Sequence, residues 1–205
     1  MNKIYFDIET GPLPDTYLDL VMPQFEAPSN YKDEEKIAAS IAAQKQKWKE
    51  RAALSPLTGK ILAIGITDKN GFTAIAEETE AETLKRFNAL VNASMDTLFI
   101  GFNIFAFDIP FLQKRCWTNN IRPPFYQGWH PWRQDRWIDL METWTMGNRE
   151  DRASLDAIAK FFGVGAKSGS GADFARLWAE DRPAALKYLE NDLNLTRAVA
   201  ERMGV

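Results

Sequence analysis

The run Ile4-Tyr5-Phe6-Asp7-Ile8-Glu9-Thr10 has the apolar character of a buried strand, yet it carries two carboxylates. Side chains alternate across a strand, so Asp7 and Glu9, two residues apart, project from the same face. A carboxylate in such surroundings is costly unless a cation or several donors compensate it. The same argument recurs far along the chain. In Tyr188-Leu189-Glu190-Asn191-Asp192-Leu193 the helical period puts Tyr188 and Asp192 on one face with Leu195 and Val199, so another acid sits on an apolar stripe. A fourth acid, Asp108, closes the run Gly101-Phe102-Asn103-Ile104-Phe105-Ala106-Phe107-Asp108 ahead of Ile109-Pro110, where it begins or precedes a helix. Each has a plain alternative: a solvated strand end for Asp7 and Glu9, a helix N-cap for Asp108, a buried ion pair for Asp192 and core packing for Tyr188.

Taken in order, the three segments resemble the DEDD superfamily of 3′–5′ exonucleases, most closely the exonuclease domains of family B DNA polymerases and their stand-alone relatives. The resemblance implies an α/β, ribonuclease-H-like fold: a mixed central sheet with antiparallel first three strands, flanked by helices. It extends over nearly the whole chain, expected as one domain, 1–205, with a helical insertion at about 12–58. The superfamily divides by whether His or Tyr accompanies the last Asp. The His branch places its imidazole five residues before that Asp, but position 187 is Lys and the one histidine is His130, so the Tyr branch fits.

What the resemblance implies for the site is a two-metal hydrolysis of a phosphodiester at the 3′ end of single-stranded DNA, releasing nucleoside 5′-monophosphates. Asp7 would bridge two divalent ions, Glu9 and Asp192 would help hold the water-activating one, and Asp108 the one at the leaving group. Hard cations such as Mg²⁺ or Mn²⁺ suit oxygen ligands, and the chain offers no Cys and His cluster for zinc. Tyr188, with an ordinary pKa of about 10, is a poor base near neutral pH and would orient the attacking water. Thr10 and Gly11, through their backbone, and Asn103 and Phe107 match substrate-side positions. RNA in place of DNA, or a nucleic-acid-binding module without catalysis, are the alternatives.

Composition bounds this reading. The chain has 205 residues, 45% of them hydrophobic, and a net charge of −3, which offers no global basic footprint for tight duplex binding. The single cysteine, Cys116, permits no intrachain disulfide. With neither a signal peptide nor a membrane-length apolar run in view, a soluble, cytoplasmic, monomeric protein is the expectation.

The remaining pattern predicts a charged helix over about 33–54, strands at 60–67 and 72–76 joined through Asn70-Gly71, a helix over about 81–91, a strand at 97–101, and a short edge strand at 138–140. A helix through Leu155, Ile158 and Phe162 ends at Gly163, and a last helix runs from about Pro183 to Met203. The lysines from Lys45 to Arg51 spread around their helix as a solvated surface. The segment 125–137 is dense in aromatics and arginine, which suits either a stacking platform for single strands or a loop pinned by tryptophans. Asp139 reads equally as a support for the site and as a helix cap. The glycine-rich run 163–171 lacks the phosphate-loop spacing, since Phe161 and Ala166 stand where glycines are required, and reads as a flexible connector.

Overall fold

A computed structural model describes residues 2–94, 96–124, 136–167, 169, 171 and 174–205. Strand β1 (Asn2–Pro12) is followed by helices α1 (Asp15–Val21) and α2 (Glu34–Glu50), then β2 (Gly59–Asp68) and β3 (Gly71–Ile75). Helix α3 (Glu80–Ala93), β4 (Thr97–Gly101), α4 (Asp108–Thr118), β5 (Trp137–Asp139) and α5 (Leu140–Thr145) come next. The chain ends in α6 (Leu155–Phe162), α7 (Phe174–Glu180) and α8 (Arg182–Met203). Two compact units emerge, one of Met1–Glu9 with Ile61–Val205 and one of Thr10–Lys60.

The five strands form one sheet in the order β3-β2-β1-β4-β5. The first three are antiparallel neighbours, as the pattern predicts. Beyond them β1 pairs parallel with β4, and β4 with β5, in the registers Tyr5↔Ile100 and Gly101↔Asp139. Three strands therefore present their carboxyl ends on one side, where open α/β sheets bind ligands.

Alternation along β1 separates two cores. Ile4, Phe6 and Ile8 join Leu84 and Phe87 of α3 and Ile109 and Leu112 of α4. Tyr5 joins Leu155 and Ile158 of α6 and Leu189 and Leu193 of α8. Asp7 and Glu9 share the parity of Tyr5, so they project toward the side that α8 covers. Gly65 of β2 sets how closely α8 lies. A Cβ there would sit 2.7 Å from Leu189 Cγ and from Leu193 Cδ1, so any larger residue would push the helix off the sheet. Truncating a fully buried leucine such as Leu189 to Ala costs roughly 2–5 kcal/mol.

Element ends depart from the sequence pattern for local reasons. A short helix, α1, lies before Tyr31, where the sequence pattern names no element. The helix expected over 33–54 begins after Asp33, whose side chain accepts the Glu35 and Lys36 N–H groups, and stops at Glu50; a 3₁₀ turn, Ala52–Leu54, follows Arg51. The hairpin pairs Asp68 with Gly71, so its turn is Lys69-Asn70, closed by the Asp68 carboxylate on the Asn70 N–H, and Gly71 takes φ +108° as the first residue of β3. The edge strand expected at 138–140 lies one residue earlier, because the Asp139 side chain accepts the Met141 N–H and turns the chain into α5. Among the described residues no helix is long and apolar enough to cross a membrane.

Candidate active site

Carboxylate oxygens of Asp7, Glu9 and Asp192 lie within 4.8 Å of one another, drawn from β1 and from α8 at opposite ends of the sequence. Glu9 and Asp192 are buried and Asp7 half-buried. Asp108 stands beside them as the first residue of α4, 2% exposed. Its side chain does not cap that helix. Instead Oδ1 accepts the Ile8 N–H at 3.0 Å, which ties the start of α4 to the middle of β1, and the carboxyl group is within hydrogen-bonding reach of Asp7.

So many acids in so little water repel one another. Burial, then the charge of Asp192, pushes the Asp7 carboxyl up to about 6 from 3.8, opposed mainly by Lys167. Burial and the Asp7 charge push Glu9 well above the ordinary carboxylate range, and burial with Asp7 does the same to Asp108. The counter-charge is Lys167, whose Nζ lies 2.5 Å from Asp192 Oδ2 and 5.9 Å from the centre of the Tyr188 ring. Lys167 is held there by its own backbone N–H, donated to Asp156 Oδ1 of α6 at 2.9 Å.

One positive charge does not complete the set. Among the described residues Asp192 Oδ1 and the Tyr188 hydroxyl are buried without a hydrogen-bond partner. A buried carboxylate with an oxygen left unpartnered, in a group of three whose oxygens lie within 4.8 Å, suits a cation with oxygen preference, so the residues present fit a divalent metal. Burial and the neighbouring Asp192 and Glu9 charges push the Tyr188 hydroxyl above its ordinary pKa, which keeps it protonated.

Asp7 and Asp192 open into a cleft of about 400 Å³ whose lining also includes Phe102, Asn103, Arg152 and Lys167. Asn103 reaches it on a left-handed backbone, φ +62°. That turn is clamped by Asp139, which accepts the Asn103 N–H at 2.7 Å and the Phe105 N–H at 2.9 Å while also capping α5. The helix-cap reading of Asp139 holds, and the same carboxylate also fixes the Asn103 turn. Phe107 is not among the cleft-lining residues; its ring packs on Phe111, 5.5 Å between centroids. Thr10 and Gly11 are buried in the 10–60 unit, and the Thr10 hydroxyl donates to the Ala53 carbonyl at 2.7 Å. The larger groove of that unit, lined by Tyr17, Phe25, Trp48 and Leu57 among others, contains no acid of the site.

A sequence model of the RNase H superfamily matches residues 49–201. The chain belongs to the RNase H superfamily. The matched span omits β1, so Asp7 and Glu9 enter the site through the fold. A family B DNA polymerase from the hyperthermophilic archaeon Pyrobaculum calidifontis superposes with a TM-score of 0.61 and 17% identity over 99% of this chain. The chain spans 24% of that polymerase's length, and at this identity the likeness concerns the fold. No curated protein matches the chain. An RNase H superfamily domain with a cleft of this kind supports a nuclease function, hence a nucleic-acid substrate, and such nucleases generally use divalent metals.

Within this superfamily domain, Lys167 is the residue that sequence reasoning missed. Its place depends on Asp156, eleven residues away, and on Gly165 at φ +145°, where a Cβ would lie 3.0 Å from Leu195 Cδ1. The aromatic segment lies outside the described residues except at its end. There Trp137 stacks on Phe99 at 4.7 Å and Arg136 donates to the Val91 carbonyl, both packing roles. His130 also lies outside, as do Ser168 and Ser170 of the glycine-rich run.

Proposed function

We propose that the chain is a metal-dependent 3′–5′ exonuclease of the Tyr-containing DEDD branch, releasing nucleoside 5′-monophosphates from single-stranded DNA ends. The observation that carries this reading is the convergence of Asp7, Glu9 and Asp192 within 4.8 Å, with an oxygen of Asp192 left unpartnered. Residues 1–205 act as one exonuclease domain, with 12–58 as an insertion. Asp7, Glu9, Asp108 and Asp192 would hold two Mg²⁺ or Mn²⁺ ions, Asp7 bridging them. Bound there, the ions would make a water acidic and balance charge on both the attacking and leaving oxygens.

The chain's own residues do the rest. The Ile8 N–H fixes the Asp108 carboxylate, so its orientation does not depend on substrate. Tyr188 keeps its proton and offers a hydroxyl to the attacking water, since a group with so high a pKa cannot serve as base. Asn103, held by Asp139, meets the terminal nucleotide from the cleft wall, and Thr10 and Gly11, next in the chain after Glu9, contribute backbone. Phe107 supports the start of α4 through Phe111.

Purified parent and Asp7→Ala protein, given 3′-labelled DNA and RNA oligonucleotides of one sequence with Mn²⁺, test this directly. Label released as mononucleotide by the parent, faster from DNA, and abolished in the variant and by EDTA, is the expected result. Equal degradation by parent and variant would sink it, and a faster RNA reaction would transfer the same site to an exoribonuclease.

A further inference from the structure

Among the residues lining the cleft, Arg152 has no role in the reading above. We propose that it forms a second phosphate subsite, holding the phosphodiester one nucleotide upstream of the bond that is cut; this rests on the nuclease reading.

Three observations carry it. Arg152 lines the same cleft as Asp7, Lys167 and Asp192. Those last two form an ion pair at 2.5 Å, so Lys167 belongs to the acid cluster where the scissile phosphate must come. Arg152 is committed elsewhere only weakly: its Nη2 lies 4.0 Å from Glu142 Oε1, and both side chains are 49% exposed. A pair so long and so wet contributes little and yields readily to a better partner.

The backbone around Arg152 is nevertheless fixed. On one side the Trp144 indole donates to the Asp151 carbonyl at 2.8 Å, and on the other Ser154 caps α6 by accepting the Ala157 N–H at 3.1 Å. A guanidinium on a fixed backbone presents a planar fork that matches phosphate oxygens two at a time. The charge balance also asks for it. The chain has a net charge of −3, and divalent ions at the acids would only neutralise them. Attraction for the strand then falls to the cations of the cleft wall, and among the described lining residues Arg152 is the one not bound into the acid set.

The test compares thymidine dinucleotide TpT, which contains only the scissile phosphate, with TpTpT, which adds the upstream one. For the parent, kcat/KM on TpTpT exceeds that on TpT. In Arg152→Ala this ratio falls about tenfold, the worth of one charge-assisted hydrogen-bonded contact, and Arg152→Lys restores part of it. Oligonucleotide binding in Ca²⁺ should also lose about 0.7 from its logarithmic salt slope, the value of one phosphate on a single strand. The rise in Tm that Mn²⁺ causes should match the parent's, showing the acids undisturbed. Equal losses on TpT and TpTpT, or no loss on either, would overturn the subsite while leaving the nuclease standing. A parent inactive on both substrates with Mg²⁺ and Mn²⁺ would overturn the nuclease reading and the subsite together.

Discussion

Two sets of charges are buried in the same unit, around Glu80 and around Asp7, and they are built on opposite principles. Glu80 accepts hydrogen bonds from Arg115 Nε at 2.9 Å, Arg115 Nη2 at 2.6 Å, Asn119 Nδ2 at 3.1 Å and the Ile61 N–H at 2.8 Å. That set is neutral and complete, and it fastens α3 and α4 to β2. Asp7 stands with three further carboxylates and one ammonium, and Asp192 Oδ1 makes no hydrogen bond of good geometry among the described residues. Burial alone therefore does not mark function. What marks it is burial without compensation, which a stable fold tolerates only where something else is to bind.

Neutralising one member of each set should have opposite effects. Glu80→Gln removes the negative charge that faces the Arg115 guanidinium and should be destabilising, read as a lower denaturation midpoint. Asp7→Asn relieves repulsion instead. We expect it to stabilise the protein in EDTA by roughly 1–2 kcal/mol near neutral pH while cutting nuclease turnover by about a hundred- to a thousandfold, the scale seen when a key electrostatic group is removed. It should also remove most of the Tm increase that Mn²⁺ gives the parent. Should Asp7→Asn be destabilised as Glu80→Gln is, both clusters are structural and the contrast is lost.

That contrast was half legible in the sequence. The strand parity of Asp7 and Glu9 and the helical spacing of Tyr188 and Asp192 are short-range facts, so they could be read directly. Glu80 was not readable as an ion-pair partner, because Arg115 and Ile61 reach it across 35 and 19 positions. Lys167 was hidden for the same reason: its side chain lands on Asp192 only through the Asp156 bond and the turn at Gly165. The packing of Phe107 on Phe111, four residues on, was equally out of view. Asp108 was placed correctly at a helix start, but the donor that fixes its carboxylate is Ile8, 100 positions earlier.

The acid cluster also gives a pH signature that the Glu80 cluster lacks. The Asp7 carboxyl rises to about 6 from 3.8, with burial the larger cause and Asp192 the next, and Glu9 and Asp108 move in the same direction. The folded protein thus keeps protons that the unfolded chain gives up. Stability from this source is complete below about pH 4 and is lost as pH climbs through about 6. In EDTA the Tm should fall across that interval. Mg²⁺ or Mn²⁺, competing with protons for the same oxygens, should raise Tm more at about pH 8 than at about pH 5. Calorimetry at both pH values, with and without Mn²⁺, checks this, and a metal effect equal at the two would contradict it.

The smallest change sits where the two principles meet. The Tyr188 hydroxyl is buried beside the Asp192 carboxylate, makes no hydrogen bond of good geometry among the described residues, and bears no charge. The hydroxyl lies within hydrogen-bonding reach of the Asp192 carboxylate, so Tyr188→Phe forfeits at most that one contact and should cost no more than about 1–2 kcal/mol. If the hydroxyl orients the attacking water, kcat should still fall, by about 10- to 100-fold, with KM little altered. Because its pKa is already held above the ordinary value, no limb of the pH–rate profile belongs to Tyr188, and the variant's profile should keep the parent's shape at lower height. A variant of unchanged rate makes Tyr188 a packing residue against Phe174, its neighbour at 6.1 Å. A variant that loses one limb of the profile makes it a proton donor or acceptor, contrary to the environment its ring occupies.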